Sequence, residues 1–192
     1  MLHGYGSDEN DLFAFSSELD ERYFVISVRA PLQMMPFGNA WYTIHFDAPQ
    51  GKWTDTEQAL NSRELIKDFI NQACETYPVD PSNVSLIGFS QGTILSLAVA
   101  LSYPKLIKNV VALSGYVNKD LVEPQSEADF SHLDVFASHG LMDQVIPVEW
   151  ARQTPSFLDA RGIKHVYHEY PVGHGVSPEN FYAFKSWLEQ RT

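Results

Sequence analysis

The chain has 192 residues, 44% of them hydrophobic and 19% charged, which is the size and composition of one globular domain with a substantial core. A formal net charge of -11 with no cluster of Lys and Arg argues against nucleic acid or acidic lipid surfaces as partners. Cys74 is the only cysteine, which excludes a disulfide framework and any CxxC metal or redox motif. No apolar run reaches the about 18 residues of a membrane span, and the N-terminus lacks a charged region followed by an apolar one. Stable membrane insertion is therefore not expected, and a cytoplasmic location is.

Short β-branched runs alternate with helical patterns along the chain. "DENDLFAFSSEL" (8–19) has helical spacing, and "YFVISVRAP" (23–31) reads as a buried strand stopped by proline. Residues 31–56, with "MMPFGNAWYTIHFDAPQGKW", fall outside this rhythm. A long helix is expected over 55–77, where Cys74 falls at an apolar position and is expected to be buried. Then follow a strand at 83–89, a helix at 91–103, strands at 108–115 and 133–140, a helix at 148–162, a strand at 163–171 and a helix at 177–191. This alternation predicts an α/β fold, a mostly parallel sheet with helices on both faces and no large cap. No repeat, low-complexity tract or composition shift divides the chain, so residues 1–192 are read as a single domain.

The most informative stretch is "LIGFSQG" (86–92), a GxSxG match placed between a predicted strand and an apolar helix. A serine there sits on a sharp strand-to-helix turn, its hydroxyl above the sheet and a helix N-terminus behind it. The bland alternative for Ser90 is a helix cap. A serine hydroxyl is a weak nucleophile and requires a base, itself oriented by an acid. "SHGLMDQVIPV" offers Asp143 in a loop after a strand, with Pro147 placed to start the next helix. "YPVGHGVSPE" offers His174 between two glycines that let the loop bend the imidazole inward. His139 is read as support for the Asp143 loop, while His45, His132, His165 and His168 carry no comparable pattern. At the other end, "MLHGYGSDENDLF" leads through a His-Gly pair into a helix, and the backbone N–H groups of Tyr5 and Gln91 are the expected oxyanion donors.

These segments together resemble the carboxylesterase and phospholipase branch of the α/β-hydrolases, which includes the acyl-protein thioesterases and small bacterial esterases. The resemblance rests on "LHGYGSDENDLF", "AWYTIHFD", "GFSQG", "SHGLMDQVIPV" and "YPVGHGVSPENF", in this order and over nearly the whole chain. It implies a triad of Ser90, Asp143 and His174, short- or medium-chain acyl substrates, and neither metal nor organic cofactor. The family pattern also has two or three strands before the His-Gly loop, of which only Met1 and Leu2 are present. The expected consequence is a central strand reduced to a stub, with lower stability or a homodimer paired through the exposed edge. Met34, Met35, Phe37, Trp41 and Tyr42 either line an acyl pocket or pack over the sheet. The activity expected is that of a serine carboxylesterase working through an acyl-enzyme on a small-molecule ester. A lysophospholipase, an acyl-thioesterase and a non-catalytic ligand-binding domain are the alternatives.

Overall fold

The computed structural model describes residues 1–45, 53–124 and 128–191. Residues 46–52 of the 31–56 segment lie outside the described residues. In chain order the elements are α1 (Asn10–Phe13), β1 (Leu32–Gln33), β2 (Asn39–Ala40), β3 (Ile44–His45), β4 (Trp53–Thr54) and α2 (Thr56–Thr76). They continue with β5 (Ser85–Phe89), α3 (Gln91–Ser102), β6 (Asn109–Leu113) and β7 (Asp134–Gly140). The last are α4 (Val148–Ala151), α5 (Gln153–Asp159), β8 (Lys164–Tyr170) and α6 (Pro178–Glu189). The main sheet has the order β5-β6-β7-β8 and is parallel throughout. Two small antiparallel pairs, β1 with β2 and β3 with β4, lie outside it.

Strand sequences explain the layering. In β6, Val110 and Ala112 join one apolar cluster with Leu95, Leu101 and Trp41, whereas Val111 and Leu113 join the other with Phe136, Phe184 and Leu188. Successive side chains point to opposite faces, so a strand covered on both sides reads as a continuous apolar run. Helix α3 is buried over its whole length: it carries no charged residue, and its Gln91, Thr93 and Ser96 side chains are hydrogen-bonded to backbone carbonyls. By contrast, α2 and α6 show one face to solvent; Asp55 caps the former by accepting from the Gln58 N–H, and Ser177 caps the latter by accepting from the Asn180 N–H.

Four expectations are corrected. Residues 23–31 do not form a ladder strand: Val28 alone is bridged, to Leu2, which also bridges Gly88. Leu2 donates to the Ile87 carbonyl at 2.9 Å and accepts from the Phe89 N–H at 3.1 Å, so Met1 and Leu2 lie as a two-residue strand between the 26–28 segment and β5. A ladder needs a partner at every second residue, and along 24–27 the Ile26 carbonyl accepts from the Met1 amino group at 2.7 Å with no ladder bridge at these four residues among the described residues. Second, the 8–19 helix is reduced to α1 and a 3-10 turn at Ser16–Glu18, where Phe15 turns in to stack on Phe181 at 4.9 Å. Third, the 148–162 helix is split at Arg152: Pro155 has no N–H for the carbonyl one turn back. Finally, Cys74 is half-buried against the core rather than enclosed by it.

A cavity of about 1030 Å³ lies between residues 22–28, the C-terminal half of α2 and the start of β5. It contains none of Ser90, Asp143 or His174 and lies at the opposite end of β5 from Ser90, so it is a gap between strand and helix, not the reaction site.

Candidate active site

Ser90 is the single residue between β5 and α3, and its φ of 53° places it in the left-handed region. A non-glycine residue persists there only where the surroundings hold it. Here the Ser90 N–H donates to the Leu113 carbonyl at 2.9 Å, and the Ser90 carbonyl accepts from the Ile94 N–H at 3.1 Å. The flanking glycines make the turn possible: a Cβ on Gly88 would lie 2.5 Å from the Gly92 carbonyl oxygen, and one on Gly92 would lie 2.0 Å from that of Leu2. Although Ser90 occupies the cap position of α3, its side chain makes no cap hydrogen bond.

It turns instead to His174, whose Nε2 lies 2.9 Å from Ser90 Oγ. His174 Nδ1 lies 2.7 Å from Asp143 Oδ2. A carboxylate can only accept, so the hydrogen sits on Nδ1 and Nε2 is left to accept from the serine hydroxyl. The Phe89 ring packs on the imidazole at 4.9 Å. Asp143 is buried, and burial alone would raise its pKa; hydrogen bonds from His174 and from the backbone N–H groups of Ile146 and Val145 outweigh it and hold the carboxyl below its ordinary value. Pro147 caps α4 directly after this loop, as expected.

The three side chains come from the ends of β5 and β7 and the loop after β8. Gly140 lets the last two approach: a Cβ on it would lie 2.1 Å from the Gly173 carbonyl oxygen. The Tyr5 loop runs beside the serine, since a Cβ on Gly4 would lie 3.3 Å from Ser90 Cβ. Gln91 opens α3, where the first N–H groups have no partner within the helix.

The structure divides the candidate pocket residues. Trp41 and Tyr42 are buried in the core cluster, whereas Met35 and Phe37, 87% and 79% exposed, stand at the tip of the β1–β2 hairpin with Met34 half-buried behind them. The hairpin rests on the Tyr5 loop: Gly6 donates to the Asn39 carbonyl at 2.9 Å, and Gly38, at a φ of 87°, would place a Cβ 2.2 Å from the Gly6 carbonyl oxygen.

Two supports of the site escaped the motif reading. The Gln91 side chain accepts from the Trp41 N–H and donates to the Tyr42 carbonyl, both at 2.8 Å. The buried His3 ring accepts from the Ala30 N–H at 3.1 Å and donates to the Gly4 carbonyl at 2.8 Å, while the His3 carbonyl accepts from the Trp41 indole at 2.9 Å. The only sequence signal for either was a polar side chain beside a motif glycine. Among the described residues no group of three or more His, Cys, Asp or Glu side chains could hold a metal ion, and no helix is long and apolar enough to cross a membrane.

The fold is that of the α/β-hydrolases. Residues 1–191 match the phospholipase/carboxylesterase family, and the chain belongs to it. A probable carboxylesterase of Oryza sativa subsp. japonica is 29% identical over 153 residues, covering 78% of this chain and 57% of that protein. The acyl-protein thioesterase 1 of Debaryomyces hansenii is 29% identical over 144 residues, covering 72% of this chain and 61% of that protein. The chain thus spans less than two thirds of the length of these relatives. The crystal structure of the Bacillus cereus carboxylesterase superposes with a TM-score of 0.84 at 20% identity, covering 100% of this chain and 86% of that one.

Proposed function

We propose that the protein is a serine carboxylesterase that hydrolyses short- to medium-chain acyl esters through an acyl-enzyme. The observation that carries this reading is the hydrogen-bonded series Ser90–His174–Asp143, at 2.9 and 2.7 Å. His174 Nε2 takes the hydroxyl proton as Ser90 Oγ attacks the ester carbonyl, and Asp143 holds the imidazole in the accepting tautomer and stabilises its charged form. The N–H groups of Tyr5 and Gln91 receive the oxyanion. Collapse expels the alcohol, protonated by His174; water, deprotonated by the same ring, then releases the acid. Met34, Met35 and Phe37 border the acyl side, and Trp41 and Tyr42 pack in the core behind it.

An acyl-thioesterase reading shares these steps and is supported by the similarity to the Debaryomyces acyl-protein thioesterase 1; a lysophospholipase would share them too. A cytoplasmic location is supported by a chain with one cysteine. A homodimer is supported by exposed Phe24, Leu65 and Phe69 around the unladdered 24–27 segment; sedimentation velocity showing only monomer would remove it. The decisive experiment is turnover of p-nitrophenyl esters from acetate to laurate, and of matched acyl thioesters, with Ser90→Ala as the blank. Wild-type turnover with a chain-length optimum is expected, with kcat down by about four to six orders of magnitude in the variant. Turnover by Ser90→Ala within tenfold of wild type would refute the reading.

A further inference from the structure

His139, 1% exposed, precedes Gly140 at the end of β7. Its Nε2 lies 2.8 Å from the Ile146 carbonyl oxygen and 3.1 Å from Asp143 Oδ2. Both are acceptors only, so the ring hydrogen sits on Nε2 and is shared between them. Its Nδ1 is buried with no partner among the described residues. An imidazole that leaves one nitrogen unpaired in the core, which costs stability, is a poor choice for packing alone.

We propose that His139 is a positioning residue that fixes the Asp143 carboxylate for His174. The proposal rests on the assignment of Asp143 and His174 above. Asp143 Oδ1 accepts from the Val145 and Ile146 N–H groups at 2.8 and 2.9 Å, and Oδ2 accepts from His174 at 2.7 Å. The His139 N–H is the fourth donor. It approaches Oδ2 from a second element and ties the same turn down through the Ile146 carbonyl. The start of the loop is tied to β8 and the segment after it, where the Leu141 and Met142 N–H groups donate to the Tyr170 and Val172 carbonyls at 2.8 and 3.0 Å, but beyond Met142 the turn that carries the carboxylate has Val145 exposed and Ile146 as its buried apolar residue. Without His139, the turn can pivot about Ile146 and the carboxylate can rotate away from His174 Nδ1. Misplacement by about 1 Å at such a contact costs up to about a hundredfold in rate.

The test compares three variants of the full chain, with Ser90→Ala as the blank. The amide nitrogen of His139→Gln reaches the place of the imidazole Nε2, whereas that of His139→Asn stops near Nδ1, and His139→Leu has no donor. Steady-state kcat and KM are measured per active site titrated with a fluorophosphonate, alongside thermal unfolding. The expected result is a ten- to hundredfold loss of kcat in His139→Leu and His139→Asn at a KM within twofold, and recovery to within about fivefold of wild type in His139→Gln. If His139→Leu does not fold, the Gln and Asn pair decides. Wild-type kcat in folded His139→Asn, or equal losses in Gln and Asn, would overturn the proposal while leaving the triad standing. Activity that survives Ser90→Ala would instead overturn the assignment on which it rests.

Discussion

Replacing Gly140 by alanine places one methyl group where the histidine loop passes closest to β7. Its Cβ would sit 2.1 Å from the Gly173 carbonyl oxygen and 2.5 Å from that of Val172, against ordinary contact from 3.4 Å, so backbone must move by about 1.3 Å. Neither neighbour is the end of a flexible side chain. The displaced residues directly precede His174, whose contacts at 2.7 and 2.9 Å have little slack before they cease to be hydrogen bonds. Gly140→Ala should therefore lower kcat for p-nitrophenyl esters by about a hundredfold, with helical and strand circular dichroism retained. Gly173→Ala is the control, because a Cβ there meets nothing nearer than the Met142 carbonyl oxygen at 3.8 Å; its kcat should stay within about threefold of wild type. A Gly140→Ala enzyme with wild-type kcat would show that the two loops yield without moving the imidazole, and the close-approach argument would fail.

Two further outcomes follow from buried polar groups. Gln91→Met keeps the side-chain volume but leaves the Trp41 N–H and the Tyr42 carbonyl unpaired; at about 1–3 kcal/mol for each buried group, urea unfolding should show a loss of about 2–6 kcal/mol, and less than 1 kcal/mol would refute it. Because the Asp143 carboxyl titrates below its value of about 3.9 in an unfolded chain, its stabilising contribution is complete above about pH 4 and is lost as pH falls through the lower native value. The stability difference between wild type and Asp143→Asn should narrow as the pH drops below about 4, and a constant difference from about pH 3 to 7 would contradict the sign.

Legibility in the sequence follows from how local the cause is. Strands β5 to β7 are readable because burial on both faces writes itself as apolar runs such as "NVVAL" and "DVFAS", whereas β8, "KHVYHEY", is partly exposed along its length and is marked instead by its β-branched and aromatic residues. The run at 23–31 is as apolar, yet it is not a ladder strand, because pairing depends on a neighbour and Met1 and Leu2 supply only two residues of it. Pro155 is the opposite case: the break in 148–162 has a local cause, but the apolar spacing runs across it as if the helix were continuous. Ser90, His174 and Asp143 are legible as a candidate site because each stands among glycines or loop residues that signal a special backbone. His3 is not, since its partners Ala30 and Trp41 lie 27 and 38 residues away.

That same non-locality bears on how substrate preference can change in this molecule. Gln91 faces two ways: its backbone opens α3 beside Ser90, and its side chain holds the Trp41–Tyr42 backbone through two hydrogen bonds. Trp41 in turn reaches the His3 carbonyl, and His3 braces the loop that carries Tyr5. A substitution at Trp41 or Tyr42 therefore disturbs the supports of both proposed oxyanion donors. Met35 and Phe37 stand outside this network, on a hairpin tip that solvent surrounds. Exchanging them alters only the proposed rim, so chain-length preference should respond to changes at Met35 and Phe37 with kcat preserved, while changes at Trp41 lower kcat for every ester alike.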